Sequence, residues 1–168
     1  MKKYLTLLAQ YNQKAHNAAL AIAAALSAEE RMADRGSFMK NIHGVFDHIA
    51  EGQLYFQRQI FAAFPSAATR HQYIDRKTTY GGINFPSFEE LADVIEVTDA
   101  AYLSLIAGLS DAELEKIIPV ESFEGDKRQS SAFILLQGFN HATHHRGQLS
   151  QIFDEMKLEN DYSGIADA

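Results

Sequence analysis

Cysteine is absent from the 168 residues, and with it disulfides, thiolate metal ligands, iron–sulfur clusters and a cysteine nucleophile. Any metal would have to be held by imidazole, carboxylate or backbone oxygen. Tryptophan is absent too. Proline, with 3 residues, and glycine, with 10, are scarce, so few positions force the chain out of a helix. Basic residues number 15 against 22 acidic ones, a net charge of −7 with no Lys/Arg-rich stretch. Such a surface repels a phosphate backbone, so nucleic acid is not an expected partner. The longest apolar run, Ala18 to Leu26, falls well short of the ~20 residues of a membrane span. Lys2 and Lys3 ahead of that run imitate a signal peptide. However, Gln10, Asn12, Gln13, Lys14, His16 and Asn17 occupy the place of its apolar centre, and a cytoplasmic location is expected.

What is present is an ordinary globular balance, 46% apolar and 22% charged. The length suits one domain, expected over residues 1–160, with 161–168 as a loosely ordered tail. Four long segments read as helices. The first covers about Lys3 to Leu26, rich in alanine. The second covers about Ser37 to Phe64, with an apolar stripe Phe38, Ile42, Val45, Ile49, Phe56 and Ile60, and ends at Pro65. The third runs from Ser87 to Gly108 and the fourth from about Ser130 to Lys157. Ser27 with Glu30, Ser87 with Glu90 and Ser110 with Glu113 carry the capping-box spacing. Residues 65–86 are long enough for a crossover or lid. Residues 117–129 read as a loop or small hairpin centred on Glu124-Gly125-Asp126. The fold class is therefore all-α, a four-helix bundle with a long crossover connection. A globin-like arrangement is the alternative, but its eight helices do not fit.

The chemistry concentrates in Phe139-Asn140-His141-Ala142-Thr143-His144-His145-Arg146-Gly147-Gln148. His141 and His145 are one helical turn apart and share a face, with Cβ atoms about 5–6 Å apart. Both lie in a core-facing seam of Ile134, Gly138, His141, His145, Leu149, Ile152 and Met156. Buried imidazoles need a hydrogen-bond partner or a metal, and two protonated rings side by side repel each other. A divalent cation shared by two neutral rings meets both requirements. Structural histidines bonded to neighbouring helices are the other reading. His144 sits about 60° off the seam, as an alternate ligand or a support to the ligands. The second helix offers His43, Asp47, His48 and Glu51 as a third ligand, and spacing does not choose among them. Arg146, Asn140 and Gln148 are candidates to orient ligands or an anionic substrate. His16 and His71 read as surface residues, and Ser130-Ser131 as a helix cap rather than a nucleophile.

Three stretches resemble the DinB-like (DinB/YfiT) family of bacterial helical bundles. They are Leu8-Ala9-Gln10-Tyr11-Asn12, Asn41-Ile42-His43-Gly44-Val45-Phe46-Asp47-His48, and the His141–His145 segment. The resemblance implies an up-down-down-up bundle that dimerises and a divalent metal on His48, His141 and His145. Many relatives carry Trp after the helix-two histidine, where this chain has Tyr55 and Phe56. Three histidines with an open position resemble a catalytic site. The expectation is a metal-dependent enzyme with a zinc or nickel ion and a small-molecule substrate. It would be a transferase using a low-molecular-weight thiol, which must come from outside a chain without cysteine, or a hydrolase. The alternative is a non-catalytic, stress-related bundle that binds a metal or small ligand.

Overall fold

The computed structural model describes residues 1–121 and 127–165. Its elements in chain order are α1 (Lys2–Ala24), α2 (Ala28–Met32), α3 (Ile42–Ala63), α4 (Phe88–Gly108), α5 (Asp111–Glu115), β1 (Ile117–Val120), β2 (Lys127–Ser130) and α6 (Ser131–Glu155). The protein is mostly helical, as expected. The helix starts follow their caps. Ser27 and Ser110 form full capping boxes with Glu30 and Glu113. Ser87 Oγ accepts from the Glu90 amide, but its hydroxyl donates to Glu89 Oε2 and the Glu90 side chain does not return to close the box. Ser130 Oγ accepts from the Phe133 amide and opens α6 as a cap.

α3 begins five residues later than periodicity predicts. Ser37 and Lys40 close a small turn in which Lys40 has φ 66°, a backbone state outside any helix. Asn41 then caps the helix by accepting from the Gly44 amide at 2.8 Å. A Cβ on Gly44 would collide with the Met39 carbonyl, so glycine lets the turn fold tightly over the helix start. Phe38, expected in the buried stripe, is left 75% exposed on this turn.

α3 packs against α6 and α4, and α1 packs against α4 and α6. The core has two apolar ends. One gathers Leu5 and Ala9 of α1, Ile60 and Phe61 of α3, Leu105 of α4, and Ile134 and Leu135 of α6. The other gathers Ala19 and Leu20, Val45 and Phe46, Leu91 and Val94, and Leu149 and Phe153. Each of the larger side chains, the alanines apart, contributes about 1.5–3 kcal/mol by leaving water. Between the two ends lies a belt of buried polar side chains.

Residues 64–87 carry the chain from α3 to α4 without regular structure, pinned by Ile74 and Phe85, 1% and 0% exposed. β1 and β2 form the expected hairpin, antiparallel with Ile117 opposite Ser130 and Val120 opposite Lys127. Its turn at Glu124-Gly125-Asp126 lies outside the described residues. Beyond α6, the Tyr162 carbonyl accepts from the Tyr11 hydroxyl of α1. Among the described residues, no helix is long and apolar enough to cross a membrane.

Candidate metal centre

His48 sits on α3, His141 and His145 on α6, the pair of long helices that face each other across this side of the molecule. Along the expected α6 seam Ile134, Gly138, His145, Leu149 and Ile152 are buried, and His141 and Met156 are half-buried. One nitrogen from each of the three rings lies within 4.8 Å of the others. The Nε2 atoms of His48 and His141 are 3.2 Å apart. Two nitrogens bound tetrahedrally to one zinc ion would stand about 3.4 Å apart, so this spacing fits a shared ion. The ring centroids are 4.5 Å apart for His48–His145 and His141–His145, and 4.9 Å for His48–His141.

The outer nitrogens are already occupied. His48 Nδ1 is 2.9 Å from the Glu51 carboxylate, which only accepts, so Nδ1 carries the proton and Nε2 offers its lone pair inward. His145 Nδ1 donates to Gln148 Oε1 at 2.8 Å and likewise leaves Nε2 free. These partners fix the tautomer and orient the rings, as supporting groups do around metal-bound histidine. Without a metal, His141 Nε2–H can donate to His48 Nε2 across the 3.2 Å gap. Burial, followed by the charges of the neighbouring imidazoles, pushes the His141 pKa down to about 3. Burial pushes His145 down to about 4, the Gln148 bond opposing it. Both rings are neutral at pH 7 and need shed no proton to bind a cation.

His141 reaches this position because α3 has no side chain at Gly52, against which its ring lies. Phe56 packs edge-on to His141 at 5.8 Å, and Tyr80 of the crossover to His48 at 5.3 Å. Of Tyr55 and Phe56, where the resemblance leads one to look for tryptophan, Phe56 lines the cluster and the Tyr55 hydroxyl donates to the Glu121 carbonyl.

Other candidates separate from the triad. His43 Nε2 donates to the Phe85 carbonyl at 2.7 Å. The Asp47 carboxylate accepts from the Asn84 and Phe85 amides, both at 2.8 Å, so the pair anchors the crossover. Glu51 supports His48 from the outer side. His144 is exposed, its ring against His145 at 4.8 Å. Asn140 is exposed on α6. Arg146 points away from the triad: it is 2% exposed and donates to Asn12 Oδ1 at 2.5 Å and His16 Nε2 at 3.0 Å. His16, read as a surface residue, is fully buried, and His71 is half-buried with Nε2 donating to Gln57 Oε1. The signal for His16 was available, because it lies in the α1 seam Leu5, Ala9, Asn12, His16, Ala19 and Ala23, all buried.

The sequence profile of the DinB family matches residues 1–158, nearly the whole chain. The chain belongs to the DinB family. No curated protein matches it. In this DinB protein three imidazoles drawn from two helices, His48, His141 and His145, form a group that could hold a metal ion.

Proposed function

We propose that this DinB protein is a metal-dependent enzyme acting on a small molecule, with one divalent ion, zinc or nickel, on His48, His141 and His145. The observation that supports it most is the composition of the cluster: three inward-facing nitrogens within 4.8 Å, with Glu51 and Gln148 engaged on outer nitrogens. Three protein ligands leave one position of a tetrahedral ion for water or substrate, the arrangement of catalytic rather than structural sites. A bound ion there would supply Lewis acidity, lowering the pKa of a coordinated water or thiol. The three histidines hold and orient, Glu51 and Gln148 keep the tautomers of His48 and His145, and Phe56 and Tyr80 pack their rings against His141 and His48. The reaction class we favour is transfer involving a low-molecular-weight thiol, with hydrolysis second.

The same reading includes an up-down-down-up four-helix bundle. What supports it is the distribution of residues between the two core ends. The starts of α1 and α6 share one end with the finishes of α3 and α4, and the other end holds the converse. A homodimer, on the family resemblance, and a cytoplasmic location, on the poor match of the N-terminus to a signal peptide, complete the proposal.

Metal analysis of the purified protein tests the centre. Wild type should carry about one divalent ion per chain, and His145→Ala should lose most of it. Equal content in the two would refute the ligand assignment. Turnover of a thiol or ester substrate by the loaded protein, lost on chelation, separates the enzyme from a non-catalytic binder.

A further inference from the structure

Behind the triad lies a second polar cluster, fully enclosed and built from all four long helices. Asp99 of α4 is its hub. Its Oδ1 accepts from Asn12 Nδ2 of α1 at 2.8 Å and from Gln53 Nε2 of α3 at 2.6 Å. Its Oδ2 accepts from His16 Nδ1 of α1 at 2.9 Å. Arg146 of α6 closes the ring through Asn12 Oδ1 and His16 Nε2. Asn12, His16, Gln53, Asp99 and Arg146 are each 2% exposed or less. A guanidinium only donates, so His16 Nε2 must accept and its proton sits on Nδ1, facing Asp99. The bonds to Asp99 and from Arg146 therefore fix the His16 tautomer.

Two members of this ring are sequence neighbours of the metal site. Gln53 follows Gly52, the bare turn on which the His141 ring rests. Arg146 follows His145. The ring thus ties together, at one depth, the two helices that carry the three histidines. We propose that Asp99 is a positioning residue for the metal centre: by binding Gln53 directly and Arg146 through His16 and Asn12, it sets the rotation and register of α3 against α6. This rests on the metal reading above. Helix rotation matters because a ligand nitrogen displaced by a few tenths of an ångström leaves bonding range. Buried polar groups that fix register rather than add stability are a recognised use of such networks.

Replacing Asp99 with asparagine has a defined consequence. Its amide nitrogen, placed at the Oδ2 position, would confront the His16 Nδ1–H. His16 would have to move its proton to Nε2, where it meets the Arg146 donor. Arg146 then faces a donor where it had an acceptor and keeps only Asn12 Oδ1 across to α1, so the link between α6 and the ring is weakened.

The experiment is cobalt(II) titration, reading affinity and the visible absorption of the bound ion, on wild type, Asp99→Asn, Gln53→Met and Leu114→Ala. Leu114→Ala opens a cavity at the far apolar end and controls for destabilisation alone. Gln53→Met cuts only the arm to α3 and leaves the buried charges paired, so it tests the idea should Asp99→Asn fail to fold. Asp99→Asn should bind cobalt about 10–100-fold more weakly with an altered spectrum, and Gln53→Met several-fold more weakly. Leu114→Ala should match wild type in both. If Gln53→Met keeps the wild-type affinity and spectrum, or Leu114→Ala changes as much as the ring variants, positioning is overturned while the metal centre stands. If wild type binds no cobalt, the metal reading itself falls, and this inference with it.

Discussion

Gly52 and His141 are in direct contact across the α3–α6 interface: a Cβ added at Gly52 would lie 2.6 Å from His141 Nδ1 and closer still to Cε1. Alanine is intrinsically favoured over glycine inside a helix by about 0.5–1 kcal/mol. Gly52→Ala therefore sets a small local gain against displacement of a ligand ring. The expected result is a metal affinity at least tenfold lower, by chelator competition, with the fold retained. Unchanged affinity would mean that the ring does not need this seat.

Glu51 and Gln148 act on the outer nitrogens of His48 and His145. Glu51→Leu and Gln148→Leu remove the acceptors that keep those protons outward, and each should weaken metal binding about 10–100-fold. Calorimetric titration with zinc measures it, and Glu51→Gln, which keeps an acceptor, should lose less than Glu51→Leu.

Metal-free protein should lose stability on mild acidification. An unfolded imidazole takes a proton near pH 6.5, whereas folded His145 and His141 take theirs only near 4 and 3. Between these limits the unfolded state binds more protons, so stability falls as pH drops from about 6.5 towards 4. Burial lowers His16 and His71 as well, adding to the same slope. Burial raises the Asp47 carboxyl, which opposes the slope at the acidic end. Urea midpoints at pH 7, 6 and 5 with chelator present should decline, and decline less in His141→Gln. Parallel pH dependence in the two proteins would contradict the assignment.

The crossover is anchored by Asp47, whose carboxylate accepts from the Asn84 and Phe85 amides at 2.8 Å and from Asn84 Nδ2 at 2.7 Å. Asp47→Ala leaves those donors unpaired, at a cost of about 1–3 kcal/mol for each buried group. Chemical denaturation should show a loss of roughly 2–4 kcal/mol. Metal stoichiometry should be unaffected, because neither Asp47 nor its neighbour His43 faces the triad.

The helices, their caps and the His141/His145 pair were legible because each is a local property. Periodicity places residues on a face, and Ser27, Ser110 and Ser130 bond to amides three residues on, whatever the rest of the chain does. The late start of α3 was not legible, because Lys40 at φ 66° and the Asn41 cap interrupt an apolar stripe that continues in sequence. His16 is a different case: its place in the α1 seam was legible, and only its partners Asp99 and Arg146, far along the chain, were not.

By itself the sequence determined that the protein is helical and cysteine-free, and that two imidazoles share one inward face. It could not choose His48 over His43, Asp47 or Glu51, since all four lie within nine residues of one helix. That choice belongs to the tertiary structure, through the angle at which α3 meets α6. His43 and Asp47 turn to the crossover, Glu51 turns behind His48, and only His48 faces the pair. Distances between side chains on different helices are set by how whole helices pack, and no spacing along a single chain encodes them.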